Sequence, residues 1–206
     1  MLPSISFLLA ATALAIVPGP GIAYVVARTV AGGRAEGIAS SVGTAGGGMV
    51  HVVLSALGLS LLIAESSVLY SAIKYLGAAY LLYLGLKILL ARPKATDVPH
   101  LARAGAKKAF RDGIVVEALN VKTAMFFIAF IPQFVDPAHH VVQQFALLGF
   151  ISVALNTAAD IIYVFIAARL RSGIRARPQL LRRVRQVSGT IMCSLGAALL
   201  LTRRPV

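Results

Sequence analysis

Residues Pro18-Gly19-Pro20-Gly21 interrupt an apolar run that extends from about Pro3 to Ala27, and this interruption decides how the chain folds. Each proline lacks a backbone N–H, so the carbonyls of Leu14 and Ile16 lose their usual helical partners. Inside a hydrocarbon layer a broken backbone is stable only where protein or a watery cavity surrounds it. We therefore expect the break to face the interior of a helix bundle, with its freed carbonyls and N–H groups available to a polar solute. A proline kink that only helps helices pack is the alternative.

The composition of the 206-residue chain is that of an integral membrane protein. Hydrophobic residues make up 58% and charged residues only 13%, and the mean hydropathy is +0.84. The net charge of +13 is carried in the gaps between apolar runs. We therefore expect anionic lipid headgroups, and not nucleic acid, as its partners. The single cysteine, Cys193, predicts a packing residue and no redox chemistry.

Six apolar runs are long enough to cross a hydrocarbon core of about 30 Å. They extend approximately over Pro3 to Ala27, Ile38 to Ile63, Val68 to Leu90, Asp112 to Phe134, Gln143 to Ala168, and Val184 to Thr202. The connections between them leave no room for a soluble domain. The sequence therefore predicts one all-α, multi-pass membrane domain over residues 1–206.

Lysine and arginine residues are concentrated in the first, third and fifth connections, and none lies in the second or fourth. Short loops rich in these residues remain on the cytoplasmic side, so six spans with this pattern predict that both termini lie outside. Arg28 and Arg34 belong to the first of these basic connections. The fifth, residues 169–183, is rich enough in arginine to bind anionic lipid as well.

The two halves of the chain resemble each other. The break in the first run has a counterpart at Asn120-Val121-Lys122 in the fourth run, and glycine pairs recur in the third and sixth runs. Because each half has three spans, the second half would lie inverted in the membrane, with a site at the interface of the two repeats. We predict repeat one over about 1–92 and repeat two over about 111–206.

Polar residues of the fourth run extend the predicted site. Glu117 and Asn120 are three residues apart and share a helix face, whereas Lys122 faces elsewhere unless the helix unwinds there. We predict that Pro18, Gly19, Pro20, Gly21, Asn120 and Lys122 form a substrate-binding wall. For Asn120 alone, and for Asn156 alone, a hydrogen bond that only holds two helices together is the preferred explanation.

Asp160 is the most deeply placed acidic residue, about 12 Å into the membrane at 1.5 Å per residue. Asn156 lies one turn earlier on the same face, and His51 lies nearer the membrane centre. A deep carboxyl that gains and loses a proton would couple transport to a proton gradient. We predict this role for Asp160 together with Glu117, His51 and Asn156, and we predict no cofactor. A structural carboxylate and a packed histidine are the alternatives.

Several stretches carry a family resemblance. They are Pro18-Gly19-Pro20, Ala118 to Lys122 followed by Phe126-Phe127, Pro132 to Pro137, and Gly77 to Gly85. Together they resemble the LysE/RhtB family of bacterial amino-acid exporters over essentially the whole chain. The resemblance implies a six-span exporter of amino acids or small derivatives in the bacterial inner membrane, driven by an ion gradient. It names neither the substrate nor the oligomeric state, and a homo-oligomer is compatible with it.

Two positions depart from the family pattern. Members usually carry Asp or Asn after Pro-Gly-Pro, where this chain has Gly21, and Asn-Pro-Lys, where this chain has Asn120-Val121-Lys122. The first departure removes the group that would contact an ammonium next to the break. The second, a missing proline, leaves open whether the fourth helix is broken.

Other classes of function have less support. A divalent-metal exporter would need several ligands in one layer, which His51, Glu117 and Asp160 would supply if they shared a site. A dithiol electron carrier requires a second cysteine. A membrane hydrolase requires a nucleophile with its base, or a metal pair, and no such spacing is present, so we do not expect an enzyme. A structural membrane module without transport is the remaining alternative.

Overall fold

The described part of the chain is helical. The computed structural model describes residues 3–59, 67–90, 102–170 and 178–201, and no β-strand occurs in these ranges. The helices are α1 (Ile5–Ile16), α2 (Pro20–Gly32), α3 (Arg34–Leu54), α4 (Ser67–Leu90), α5 (Ala106–Ala118), α6 (Val121–Met125), α7 (Val141–Leu170) and α8 (Pro178–Leu201). A π-helical turn, Ser55–Leu59, extends α3, and π-helical and 3-10 turns over Phe126–Phe130 and Ile131–Phe134 extend α6. The predicted all-α class is confirmed.

The helices show that this is a multi-pass membrane protein. Three of them contain segments long and apolar enough to cross a membrane, namely Arg34–Gly58, Ser71–Leu90 and Val141–Arg169. The pairs α1 with α2, and α5 with the extended α6, would each cross as one bent span, which gives up to five spans. The apolar part of α8, Gln186–Leu201, is shorter than the roughly 20 residues that a crossing usually takes. The sixth span therefore stays a prediction.

The predicted break in the first run is present. Helices α1 and α2 are bent by 45° across residues 17–19. The N–H of Val17 closes the end of α1 by donating to the carbonyl of Leu14 at 3.2 Å. The hydrogen-bond ladder cannot continue, because neither Pro18 nor Pro20 has an N–H to donate.

A second break divides the fourth run, although that run has no proline at this point. Helices α5 and α6 are bent by 44° around Asn120. The side-chain Oδ1 of Asn120 accepts a hydrogen bond from the backbone N–H of Lys122 at 3.1 Å and so caps α6. The N–H of Asn120 donates to the carbonyl of Glu117 at 3.0 Å, which ends α5 in a tighter turn. Family members usually have a proline at position 121. In this chain Val121 stands there, and the cap formed by Asn120 breaks the helix without a proline.

Small residues bring the helices close together, chiefly in the second run, where residues 40–48 are Gly, Ala, Ser or Thr with the single exception of Val42. A Cβ placed on Gly43 would lie 2.1 Å from the carbonyl oxygen of Phe110 on α5, and Gly48 meets α7 in a similar way. Helices α4 and α8 pack by the same device, since a Cβ on Gly85 would lie 2.6 Å from the Sγ of Cys193. Cys193 is therefore confirmed as a packing residue between two helices.

The first basic connection differs from its prediction. Only Gly33, with a φ of 82° that suits glycine, separates α2 from α3, so residues 28–37 are mostly helical. Arg28 is only 4% exposed. Its Nη2 donates to Oδ2 of Asp112 at 2.9 Å, and its Nη1 lies 3.8 Å from Oε2 of Glu36. The prediction that Arg28 belongs to a basic connection between two spans is wrong, because the residue lies in α2 and two carboxylates stabilise its guanidinium inside the bundle.

Much of the remaining basic charge lies outside the described residues. These positions are Arg92 and Lys94 of the third connection, 171–177 of the fifth, and Arg203 and Arg204 of the tail. The sequence also predicts a tight turn over 64–67, which lies outside the described residues except for Ser67, where α4 begins. Among the described basic residues, Lys107 and Lys108 are exposed at the start of α5. The guanidinium of Arg34 lies 5.6 Å from the ring centroid of Phe165.

Candidate functional site

A small cavity lies beside the two breaks, between α1, α3, α5, α6 and α7. Its polar lining consists of Thr44, Glu117, Lys122, Thr123, Ser152 and Asn156. Apolar side chains complete the wall, chiefly Phe126, Phe127, Val153 and small residues of α1. A mostly apolar cavity with a few convergent polar groups is the usual form of a small-molecule site.

Lys122 occupies the end of α1 at the first break. Its ammonium donates to the carbonyls of Val17 at 2.9 Å and Leu14 at 3.3 Å. The other carbonyl freed by a proline, that of Ile16, accepts from the hydroxyl of Tyr163 at 2.9 Å. A cation at this place also complements the negative end of the α1 dipole. Because an ammonium has three N–H donors, one of them remains for a ligand in the cavity.

Glu117 occupies the opposite side of the break, next to the start of α2. Its carboxylate is buried, and Oε1 accepts from the hydroxyl of Thr123 at 2.6 Å while Oε2 accepts from the side-chain amide of Asn120 at 3.0 Å. Each oxygen retains a further lone pair for a ligand. A Cβ on Gly21 would lie 2.4 Å from Oε2, so the carboxylate lies against the first turn of α2, where the dipole favours an anion.

The two glycines of the break make room for these two charged side chains. A Cβ on Gly19 would lie 3.1 Å from Cε of Lys122, and one on Gly21 would lie 2.4 Å from Oε2 of Glu117. The prolines open the hydrogen-bond ladder, and the glycines admit side chains from the other half of the chain. In the described structure, residues 18–21 therefore lie behind Glu117 and Lys122 and do not themselves line the cavity.

Asp160 lies between α7 and α3 and is fully buried. Its Oδ2 is 2.8 Å from the hydroxyl of Thr44, which lines the cavity and is also 2.8 Å from the carbonyl of Ser41. Among the described residues, the other carboxyl oxygen of Asp160 and the hydroxyl of Ser41 are buried without a hydrogen-bond partner. Thr44, the hydrogen-bond partner of Asp160, lines the same cavity as Lys122 and Glu117. The buried charges therefore form one cluster beside the cavity.

His51 and Asn156 have different surroundings. The Nε2 of His51 is 2.9 Å from the backbone carbonyl of Glu117, and its ring centroid is 5.8 Å from that of Phe127. A carbonyl only accepts, so Nε2 carries the hydrogen. Asn156 lines the cavity, but Thr44 is the residue hydrogen-bonded to Asp160.

The three residues that the sequence suggested as shared metal ligands do not form one site. Glu117 is held by two side chains, Asp160 by a hydroxyl, and His51 by a backbone carbonyl. Within residues 3–59, 67–90, 102–170 and 178–201, no group of three His, Cys, Asp or Glu side chains is placed to hold a metal ion.

Sequence reasoning missed part of the cavity lining. Thr44 was visible only as a small residue of a glycine-rich face, and Thr123 and Ser152 were not singled out. Ser152 precedes Asn156 by four residues, so their shared helix face was a usable signal. Thr123 reaches Glu117 only because the helix unwinds between them, which the sequence left open.

The bent helices, the buried charges at both breaks and the adjoining cavity define a multi-pass membrane protein with a polar site inside its bundle. The family model described as LysE type translocator matches residues 12–203, and the chain belongs to this family. The resemblance found in the sequence is thereby confirmed. Membership supports a small-solute exporter.

Relatives cover nearly the whole chain. A homoserine/homoserine lactone efflux protein of Salmonella typhimurium is 28% identical over 94% of each chain. An uncharacterized membrane protein of Vibrio cholerae is 27% identical over 95% of each chain. An uncharacterized membrane protein of Pseudomonas aeruginosa is 30% identical over 94% of this chain and 93% of the relative. No solved structure matches the chain.

Proposed function

We propose that this protein is a secondary-active exporter of small amino acids or amino-acid derivatives across the bacterial inner membrane, driven by a proton gradient. The observation that carries the proposal is that Glu117 and Lys122, of opposite charge, both line one cavity at a helix break. A zwitterion presents an ammonium and a carboxylate, which these two groups complement. The rings of Phe126 and Phe127 offer apolar surface to the rest of the molecule.

The predicted binding residues divide into two roles in this proposal. Lys122 meets the substrate, with Glu117 opposite it. The residues Pro18, Gly19, Pro20, Gly21 and Asn120 hold these two side chains in position through the contacts described above. The Salmonella relative is named for efflux of homoserine and homoserine lactone, so these two compounds are the first substrates to test.

We propose six spans arranged as two inverted repeats, α1 to α4 and α5 to α8. Each repeat opens with a broken helix, and the two bends, 45° and 44°, are nearly equal. Helix α3 packs on α5, α2 packs on α7, and α4 packs on α8. Each broken helix thus contacts the second span of the other repeat, which is the pairing that a two-fold axis in the membrane plane produces. From the charge asymmetry of the connections we also propose that both termini lie outside.

We propose that Asp160 carries the coupled proton. The hydroxyl oxygen of Thr44 is 2.8 Å from Oδ2 of Asp160 and 2.8 Å from the carbonyl oxygen of Ser41. Because a threonine hydroxyl has one hydrogen, Thr44 donates to only one of these two oxygens at a time. When Asp160 is charged, Thr44 donates to it; when Asp160 is protonated, it donates to Thr44, which donates to Ser41. The same geometry therefore accommodates both states, and Thr44 links them to the cavity. The other members of the proposed coupling group are Glu117, His51 and Asn156.

A growth-inhibition panel tests the proposed function. Cells with and without the protein are exposed to inhibitory concentrations of amino acids, homoserine and homoserine lactone. An exporter raises tolerance to its own substrates only, and inside-out vesicles should accumulate the same compounds in labelled form. Equal tolerance to every compound, with no uptake by vesicles, would favour a structural membrane module.

A further inference from the structure

Gly21 is not required by the backbone at its position. It lies in the first turn of α2, and among the described glycines only Gly33 and Gly105 have a positive φ. The space that a side chain would need is taken by Glu117, because a Cβ on Gly21 would lie 2.4 Å from its Oε2, far inside van der Waals contact. A side chain at residue 21 and the Glu117 carboxylate would therefore occupy the same space.

We propose that Glu117 is the ammonium-binding residue of this site and that Gly21 makes this possible by leaving room for its carboxylate. The inference rests on the proposed exporter function. Among the described residues that line the cavity, Glu117 is the only acidic one. Its oxygens are fixed by Thr123 and Asn120, one hydrogen bond to each, and each keeps a lone pair for an incoming N–H.

The ammonium group of the substrate makes the main contact, with Glu117, and the carboxylate of the substrate makes a secondary contact, with Lys122. Two N–H groups of Lys122 are already engaged by the carbonyls of Leu14 and Val17, which leaves one for a ligand. Glu117 has no such backbone commitment. The substrate class is therefore small molecules with a free primary ammonium, with or without a free carboxylate, and it excludes their N-acylated forms. Homoserine and its lactone both belong to this class, because the lactone loses the carboxylate but keeps the ammonium.

The test measures initial uptake rates in inside-out vesicles for two probes, homoserine lactone and N-acetyl-homoserine lactone. If the parent does not transport the lactone, the best substrate of the amino-acid panel and its N-acetyl form replace them. Glu117→Gln keeps the shape and removes the charge, so the rate for the free amine should fall about 10- to 100-fold while the N-acetyl rate is unchanged. Gly58→Ala is the control, because nothing lies within 4 Å of a Cβ there.

A second experiment moves the carboxylate from residue 117 to residue 21, and it tests whether the two side chains would occupy the same space. Gly21→Asp in the parent background should abolish transport, because the new side chain meets the Glu117 carboxylate. Gly21→Asp combined with Glu117→Ala moves the carboxylate to the other helix, and it should recover at least roughly tenfold in free-amine rate over Glu117→Ala alone. A purely structural role for Glu117 gives no reason for this recovery or for a change in preference between the two probes.

The outcomes separate the two levels of the proposal. If Glu117→Gln keeps the parental preference for the free amine, the ammonium role is overturned while the exporter function stands. If Glu117→Gln is not recovered from membranes, the double variant Gly21→Asp with Glu117→Ala provides the test. The inference is overturned if this variant transports the free amine no faster than Glu117→Ala alone and shows no greater preference for it over the N-acetyl probe. A parent that transports neither probe nor any panel member refutes the exporter function itself.

Discussion

Replacement of Asp160 by asparagine tests the coupling mechanism most directly. The introduced side-chain amide would have nearly the shape of the carboxyl and would still hydrogen-bond to Thr44, so the packing of α7 on α3 should persist. An amide cannot gain or lose a proton in the cycle. We therefore expect Asp160→Asn to bind and exchange substrate but not to use the proton gradient.

The size of the effect follows from one carboxyl carrying one proton in each cycle. At a pH difference of one unit and without a membrane potential, one proton releases about 1.4 kcal/mol, which supports an accumulation of about tenfold. An exchanger that carries no proton only equilibrates substrate, so the expected accumulation ratio in the variant is about one.

The assay uses inside-out vesicles with an acidic interior and labelled substrate. The parent and the control Gly58→Ala should reach the full accumulation ratio, and Asp160→Asn should still exchange internal label for external unlabelled substrate. Accumulation by Asp160→Asn equal to that of the parent would refute the coupling role. Loss of exchange as well would show that Asp160 holds the bundle and does not carry the coupled proton.

Three further predictions concern stability and orientation. Lys122→Met leaves two carbonyls at the break without their donor, so it should destabilise the protein by about 1–3 kcal/mol and lower its melting temperature in detergent; an unchanged melting temperature would contradict the role of the ammonium at the break. Gly43→Ala should cost a similar amount, about 1–3 kcal/mol, because its Cβ meets a backbone oxygen at 2.1 Å, whereas Gly58→Ala should match the parent. A cysteine at Lys108, in a Cys193→Ser background, should be shielded from an impermeant maleimide in intact cells, and labelling there would reject the predicted orientation.

The first break could be predicted because its cause is covalent. A proline has no N–H wherever it lies, so the loss of partners for Leu14 and Ile16 follows from the sequence alone. The second break depends on whether the side chain of Asn120 hydrogen-bonds to the neighbouring backbone or to other groups. Local sequence does not decide that choice, and the question therefore stayed open until the structure showed the cap on α6.

The pairing of Gly21 with Glu117 illustrates what sequence patterns do not contain. The two residues are far apart in the chain, and their contact depends on how α2 packs against α5. Helix periodicity placed Lys122 away from Glu117 on a continuous helix, and only the unwinding at Asn120 brings both to the same cavity. The sequence suggested Glu117 and Lys122 as residues of the site, whereas their contacts with residues 19 and 21 follow from how α5 and α6 pack against α1 and α2.

The burial of Arg28 changes the basis of the predicted orientation. The positive-inside rule counts charges in loops at the membrane surface. Arg28 lies inside the bundle instead, where its Nε donates to the hydroxyl of Tyr24 at 3.0 Å and its Nη2 to Asp112 at 2.9 Å. A guanidinium paired in this way stabilises the packing of α2 on α5 and gives no signal to the membrane interface. The orientation therefore depends on the third and fifth connections, which is why the labelling site belongs at Lys108, at an exposed position of the third connection, and not near Arg28.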